Sequence, residues 1–381
     1  MNSSGFCEIG GRLKRSLTVC GAPGAVLLRG AWLLAACSVP GSNVDQDATH
    51  THGRIVVQAT PSWQRSSRTL HKPDGVPKAL GAGNGAAGIV VSERCFSLIL
   101  RLHAQPYVAG SIACDNRGPG NPLAGDRAPT DVVYVAPNAT VWWLDAGTGT
   151  IVSENPAGYH RRIIRLPLRG RAIAACSSDG KVVAYVDSAT PGVIAFVDTE
   201  AEDSSWSAAL PNDLGFENPA AWRRARLGAV PGEPCVLVAP RVGSFVVVGR
   251  DSLFPAPFMV RQDRTLTGPQ PRWIRLLRRF APPTSVARPL DATSIAGGVA
   301  ILLQGIPVPG GRLVDLYHEN GNYWLSMLLP HAPERIASNG TELLALSRRG
   351  EHWIVAGFTV PRPVSGSSPD TATRDRPRGS K

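Results

Sequence analysis

Four stretches of this chain begin alike, and their spacing limits what it can fold into more than any other feature. They are "VVYVAPNATVWWLDAGTGTIVS" from Val132, "IAACSSDGKVVAYVDSATPGVIAFVDT" from Ile173, "IAGGVAILLQGIPVPGGRLVDLYHENG" from Ile295 and "IASNGTELLALSRRGEHWIVAGFTV" from Ile336. Their starts differ by 41, 122 and 41 residues. Since 122 is close to three times 41, degenerate copies are expected near 214 and 255. There "CVLVAPRVGSFVVVGRD" and "PFMVRQDRTLTGPQPRWIRLL" supply apolar strands. A period near 40, with three or four short strands in each unit, marks a β-propeller blade.

Turn chemistry agrees with that period. The chain holds 40 Gly and 33 Pro but only 18% charged residues, which favours many short strands over long helices. Asp179-Gly180, Asn320-Gly321 and Asn339-Gly340 supply residues that tolerate positive φ in tight hairpins. Strand alternation shows in "KVVAYVDS" and "GRLVDLYHENGNYWLSMLL", and only "PRWIRLLRRF" carries a helical period. The expected fold is all-β, a six-bladed β-propeller over residues 87–360, with seven blades as the alternative and a β-sandwich as the competing architecture. Residues 88–360 divide into roughly six and a half units of this period. A closed ring splits one blade between the chain ends so that no sheet edge stays open. "GIVVSERCFSLILRLHA" is expected to complete the last blade beside "EHWIVAGFTV".

The ends read differently from the body. The net charge of +11 includes +3 from residues 1–36 and +3 from residues 361–381, so the basic character belongs largely to the termini. A basic cluster, Arg12-Leu13-Lys14-Arg15, precedes a mostly apolar run from Leu17 to Ala36, as in a secretory signal. Arg29 interrupts that run, at about 2.5–3.5 kcal/mol on insertion scales. "LLRGAWLLAACSVPGS" contains Leu34-Ala35-Ala36-Cys37, which resembles a bacterial lipobox. That resemblance implies cleavage before Cys37 and acylation of its sulfur and new amino terminus, which would hold the protein on a membrane of the cell envelope. A buried first helix and an uncleaved membrane anchor are the other readings of this segment.

Residues 37–86, rich in Ser, Thr, Gly, Pro and Asp, are expected as a flexible tether, and 361–381 as a disordered tail. Asp45, Asp47, His50 and His52 alternate as metal ligands could in an extended chain, but read as solvated linker.

From "GGRLVDLYHENGNYWLSMLLPHAPERIASNGTELLALSRRGEHWIVAGFTV" the chain resembles the closing blades of bacterial six-bladed propellers of the NHL or TolB-like type. "NRGPGNPLAGDRAPTDVVYVAPNATVWWLDAGTGTIV" is similar to the Gly-Pro-rich loop and strand pair of the same family. The resemblance covers about residues 90 to 360 and implies the fold; the family serves scaffolding, peptide binding and some catalysis. "WWLDAGTGTIV" is also similar to one repeat of the quinone-cofactor propellers, and a single copy indicates no cofactor.

Chemistry-bearing patterns are sparse. No G-x-S-x-G, H-E-x-x-H, Walker loop or EF-hand string occurs. His103, His160, His318, His331 and His352 share no spacing, and Asp131, Asn138, Asp187 and Asp315 read as turn residues at strand ends. No catalytic, cofactor or metal residue is therefore assigned. With Cys37 reserved for lipid, Cys95, Cys114, Cys176 and Cys235 form an even set, with Cys95–Cys114 as the favoured disulfide and buried free thiols as the alternative. The basic stretches at 160–171, 222–228 and 272–280 read as solvated guards on outer strands rather than a nucleic-acid surface.

The function expected is a non-enzymatic binding or scaffold module, anchored to the envelope, that takes a protein or peptide on one propeller face. The alternative is a propeller hydrolase or lyase with a metal in its central channel. Converging acidic side chains in the channel would favour the second, and an Arg-lined face the first.

Overall fold

Many of the described strands are apolar on both faces, because both faces are covered. Val182–Asp187 and Ser244–Val248 are buried almost along their whole length rather than at every second residue. Such strands belong to sheets packed between other sheets. The structure is a computed structural model whose described residues lie within 49–361; outside the description fall 1–48, 362–381 and internal stretches, the longest being 67–78, 113–129 and 262–286. The leader, Cys37, Cys114, Asn138, His103, His160 and "PRWIRLLRRF" lie outside the described residues.

Three short strands come first: β1 (Thr49–Thr51), β2 (Arg54–Gln58) and β3 (Trp63–Ser66). The next sheet holds β4 (Ala79–Gly83), β5 (Ala86–Ser92), β6 (Cys95–Leu102) and β7 (Gln105–Ile112). It is followed by a sheet of β8 (Asp131–Val135), β9 (Thr140–Asp145), β10 (Thr150–Glu154) and β11 (Arg161–Arg165). A third contains β12 (Gly170–Ala175), β13 (Val182–Asp187), β14 (Val193–Asp198) and β15 (Ser205–Ala209). The connection out of it carries the short helix α1 (Pro219–Trp222) and leads into β16 (Arg226–Gly228), β17 (Cys235–Val238), β18 (Ser244–Val248) and β19 (Ala256–Met259). Then come β20 (Arg288–Ile295), β21 (Gly298–Gln304), β22 (Gly311–His318) and β23 (Tyr323–Pro330), and last β24 (Arg335–Ser338), β25 (Glu342–Arg349) and β26 (His352–Thr359).

The first strands of these sheets neighbour one another in the order β4, β8, β12, β16, β20, β24, and β24 returns to β4, so a ring closes around a central channel. The fold is an all-β propeller. Five sheets are four-stranded blades, and the remaining sheet has six strands in the order β1-β2-β23-β22-β21-β20. The expectation of six blades, with seven as the alternative, is corrected accordingly: five four-stranded blades are found among the described residues. β2 adds to this sheet in parallel, Val56 opposite Ser326.

Between neighbouring sheets lie separate apolar layers rather than one central core. Leu144, Ile151, Ile173 and Tyr185 fill one, and Ala174, Phe196, Trp222, Leu237 and Val246 the next. Val236, Phe245, Ile301 and Tyr317 fill a third, and Leu302, Val314, Leu343 and Phe358 a fourth. Trp222 of α1 is 1% exposed and donates its indole N–H to the carbonyl of Asp187 at 2.5 Å. Asn218 caps the helix, its side-chain oxygen accepting from the N–H of Ala220 at 2.9 Å.

Several sequence expectations need revision. The ring is closed by β3, whose Trp63 lies opposite Gly357 of β26, and not by "GIVVSERCFSLILRLHA", which forms β5 and β6 of its own blade. The stretch expected as a tether over 37–86 contains β2, β3 and β4. Its composition cannot build a core alone, but it does not have to: Val56, Val57 and Trp63 are buried against sheets that later residues provide. The copies expected near 214 and 255 are also displaced. Between Ile173 and Ile295 only one further inner strand is described, β16, because the connection carrying α1 lengthens the interval.

Cys176, just beyond β12, and Cys235 of β17 form a disulfide between adjacent blades, with Cα atoms 5.2 Å apart. The sequence had left these two as the remaining members of an even set. Cys95 opens β6 opposite Ser92.

Candidate functional site

Around the channel the inner strands repeat after three blades. β4 reads Ala79-Leu80-Gly81 and β16 reads Arg226-Leu227-Gly228. β8 starts Asp131-Val132 and β20 contains Asp291-Ala292, while β12 and β24 share Ile173-Ala174 and Ile336-Ala337. The contacts repeat with the residues. A Cβ on Gly81 would lie 2.8 Å from the carbonyl oxygen of Val132, and one on Gly228 would overlap the carbonyl of Ala292. Glycine is what lets these strands approach so closely.

The two aspartates do the same job in each half. Asp131 accepts from the N–H of Val132 and of Ile173, both at 3.0 Å. Asp291 accepts from the N–H of Ile336 at 2.9 Å and is also held by that of Ala292. Each carboxylate thus staples its inner strand to the next one. Both lie where surrounding protein displaces water, and desolvation raises their pKa values. Asp131 is pushed up to about 6 by burial, against the opposing pull of Arg226 and of its backbone hydrogen bonds.

What differs between the halves is charge. Arg226 stands where the other half has Ala79, and Arg335 precedes Ile336 where Ala172 precedes Ile173. Arg226, Arg335, Asp131 and Asp291 line one cavity together with the apolar Leu80 and Leu227. It leaves about 30 Å³ for the centres of water-sized molecules, more than the roughly 10–15 Å³ one water needs. Arg226 donates to the carbonyl of Ala225 at 3.2 Å, and among the described residues its guanidinium makes no other hydrogen bond. Burial and then the neighbouring Arg335 lower its pKa. Arg171, at the start of β12, is close enough to be felt by Arg226; it donates to the carbonyl of Arg223, and its Nε has no partner among the described residues.

The channel therefore presents guanidiniums whose neighbouring carboxylates are committed to main-chain amides. A cation here would meet Arg226 and Arg335 at once, while an anion would find the open N–H groups of Arg226. Among the described residues no three His, Cys, Asp or Glu side chains group as metal ligands would.

Sequence reasoning placed the channel residues imperfectly. Asp131 was read as turn chemistry and instead staples the ring. Asp187 is such a turn residue, its Oδ1 accepting from the N–H of Ala189 at 2.9 Å. Asp315 is neither at a strand end nor in the channel: it is buried in the middle of β22 beside Arg54. Arg171 and Arg226, expected as guards on outer strands, stand on inner strands, whereas Arg162 and Arg165 do lie on the outer β11. His318 stacks on Trp324 with ring centroids 5.7 Å apart, and His331 sits at positive φ in the turn before β24.

No protein-family profile matches the chain, and no curated protein does. Among solved structures, apo AztD from Citrobacter koseri is similar at 16% identity over 49% of this chain and 47% of its own, with a TM-score of 0.34. The chain thus spans about half the length of that protein. A streptogramin B lyase is similar at 10% identity, over 78% of this chain and 98% of its own, with a TM-score of 0.46. The WD40 domain of Neurospora crassa Pan2 is similar at 9% identity, over 80% and 96% respectively, with a TM-score of 0.45. Identities this low assign no activity to this chain.

Proposed function

We propose that this chain is an exported, lipid-anchored binding propeller that receives a protein or peptide partner on the face where its Arg-bearing channel opens, and that it carries out no reaction of its own. Cys37 takes the acyl chains, and the propeller resembles the NHL or TolB-like type, with β20–β23 acting as its sixth blade. The observation that carries the binding role is the open guanidinium of Arg226 beside carboxylates already held by main-chain amides. A hydrolase of the channel-metal kind needs carboxylates free to bind a cation; these are occupied and stand among positive charges. The Cys176–Cys235 disulfide supports an oxidising compartment, where such bonds persist.

Two measurements test this reading. Intact mass and detergent partition of the expressed chain, beside Cys37→Ala, should show loss of residues 1–36 with added acyl mass in the first and neither in the second. A photo-crosslinking residue at Glu334, next to Arg335, should label a membrane-associated partner that the same residue at Arg165 on β11 does not. An unmodified soluble chain removes the anchor from the proposal, and equal labelling from both positions removes the docking face.

A further inference from the structure

The two halves of the ring separate what the fold requires from what it does not. Gly81 and Gly228, Asp131 and Asp291, and the two Ile-Ala pairs occupy matching places with matching contacts. The first half closes with Ala79 where the second has Arg226. An arginine at that position is therefore not needed to build an inner strand. Placing a guanidinium in a confined channel also carries a desolvation penalty. Here it additionally faces the repulsion of Arg335, which lines the same cavity. A like-charged pair held in a small space, with N–H groups of Arg226 left open, is the arrangement that binds an oxyanion.

We infer that Arg226 and Arg335 form a binding site for a single oxyanion group, a carboxylate or phosphate, which enters the channel on the side where β4 presents the uncharged Ala79, Leu80, Gly81 and Ala82. Asp131 and Asp291 hold the surrounding strands and keep the net charge low while the site is empty. The cavity is too small for a drug-sized ligand, so the group is either a free small anion or the end of a longer molecule whose remainder stays outside. This rests on the channel face being the docking face, and it names the chemistry received there. A terminal carboxylate or an anionic substituent on a partner would supply it.

The test uses the full chain and calorimetric titration with inorganic phosphate, acetate, N-acetylalanine and N-acetylalanine amide. Saturable binding of one equivalent of phosphate or of a carboxylate is expected. Affinity should fall at least tenfold in Arg226→Ala and in Arg335→Gln, and stay unchanged in Arg165→Ala on the outer β11. Because Ala79 fills the matching position, Arg226→Ala should melt at the temperature of the unsubstituted chain, which separates lost binding from lost fold. Binding of N-acetylalanine but not its amide identifies a chain terminus as the source; tighter binding of phosphate identifies a phosphate group. Absence of saturable binding by all four probes, or equal affinity in Arg226→Ala, overturns the inference. Neither result depends on the crosslinking outcome at Glu334, so an empty oxyanion site and an absent docking partner are told apart.

Discussion

Arg54 and Asp315 are 261 residues apart in sequence, yet the Nε of Arg54 lies 3.1 Å from both carboxylate oxygens of Asp315, and both side chains are fully buried. Ser326 donates to the same carboxylate at 2.6 Å and Tyr317 at 3.2 Å, while Arg54 also donates to the carbonyl of Arg261. The N–H of Arg261 in turn reaches the Tyr317 hydroxyl at 2.9 Å, and its guanidinium lies over the Tyr323 ring, 4.4 Å from the centroid. This network joins β2 to β22, β23 and the segment after β19. It explains why a stretch with the composition of a linker is an ordered part of the sheet.

Removing one partner of that pair strands the other. Arg54→Ala is expected to lower unfolding free energy by about 3–5 kcal/mol, because Asp315 remains buried without its countercharge. Arg54→Met combined with Asp315→Leu should recover most of that loss. Urea denaturation of the two variants checks it. A loss below about 1 kcal/mol in Arg54→Ala, within the range of exposed pairs, would mean that β2 is not held by this contact.

The disulfide makes a second prediction through chain entropy. Cys176 and Cys235 are separated by 59 residues, and closing a loop of that length stabilises by about 4 kcal/mol in the chain-entropy account. The double variant Cys176→Ala, Cys235→Ala should lower the denaturation midpoint accordingly. Thiol labelling of the denatured chain should therefore leave Cys176 and Cys235 unmodified until a reductant is added. Labelling of Cys176 and Cys235 in the denatured, unreduced chain would contradict the bridge.

Glycines of the ring differ in what stands behind them. Gly228→Ala drives its Cβ into the main-chain carbonyl of Ala292, which cannot swing aside as a side chain would, and an overpacking cost of about 1–3 kcal/mol or more is expected. Gly81→Ala, with 2.8 Å to the Val132 oxygen, should cost less. Gly149→Ala meets nothing within 4 Å but has φ +66°, so its penalty is purely conformational, about 1–2 kcal/mol. Thermal and urea unfolding of the three single variants give the ordering, and a neutral Gly228→Ala would remove the close approach of β16 to β20.

Sequence alone brought out the parts of the ring whose signal is local. Val132, Ile173 and Ile336 lie in the inner strands β8, β12 and β24, and Ile295 ends the inner strand β20. Ile173 and Ile336 are matching residues of the two-fold repetition that Asp131 and Asp291 share, whereas Val132 follows its aspartate by one residue and Ile295 follows its own by four. The strand β16 escaped because it is three residues long and follows the α1 connection, which shifts it off any fixed period. β4 escaped because Ala-Leu-Gly has too little apolar mass to announce a strand; Leu80 and Ala82 are buried by Trp63, Ala337 and Leu344 of distant strands. The Arg54–Asp315 pair and the channel guanidiniums were illegible for one reason. An arginine's local surroundings look alike on an outer edge and at a channel wall, and only the assembled ring tells them apart.

Asp131 couples the channel to pH. Its carboxyl, ordinarily at 3.8, is raised by burial to about 6, so folding disfavours its ionised form. The sign follows directly: the folded state holds this proton more tightly than the unfolded chain, so the group's contribution to stability is most favourable below 3.8 and falls as pH rises through 6. Oxyanion binding should move in the same direction. Asp131 of β8 faces Arg226 of β16 and Asp291 of β20, with Arg335 of β24 and Arg171 of β12 nearby, and β4 presents Ala79 and Leu80. Neutralising Asp131 leaves the guanidiniums less countered, so affinity for N-acetylalanine, whose carboxylate stays ionised over this range, should rise severalfold from pH 7.5 to pH 5. Asp131→Asn should bind at pH 7.5 about as the unsubstituted chain does at pH 5, with a flatter pH profile. Arg226→Ala removes the charge that pulls Asp131 downward, so carbon NMR of that carboxyl should place its titration above 6. A midpoint at or below the ordinary carboxylate value in the unsubstituted protein would show that Asp131 is not enclosed by the ring, and the pH coupling would fail with it.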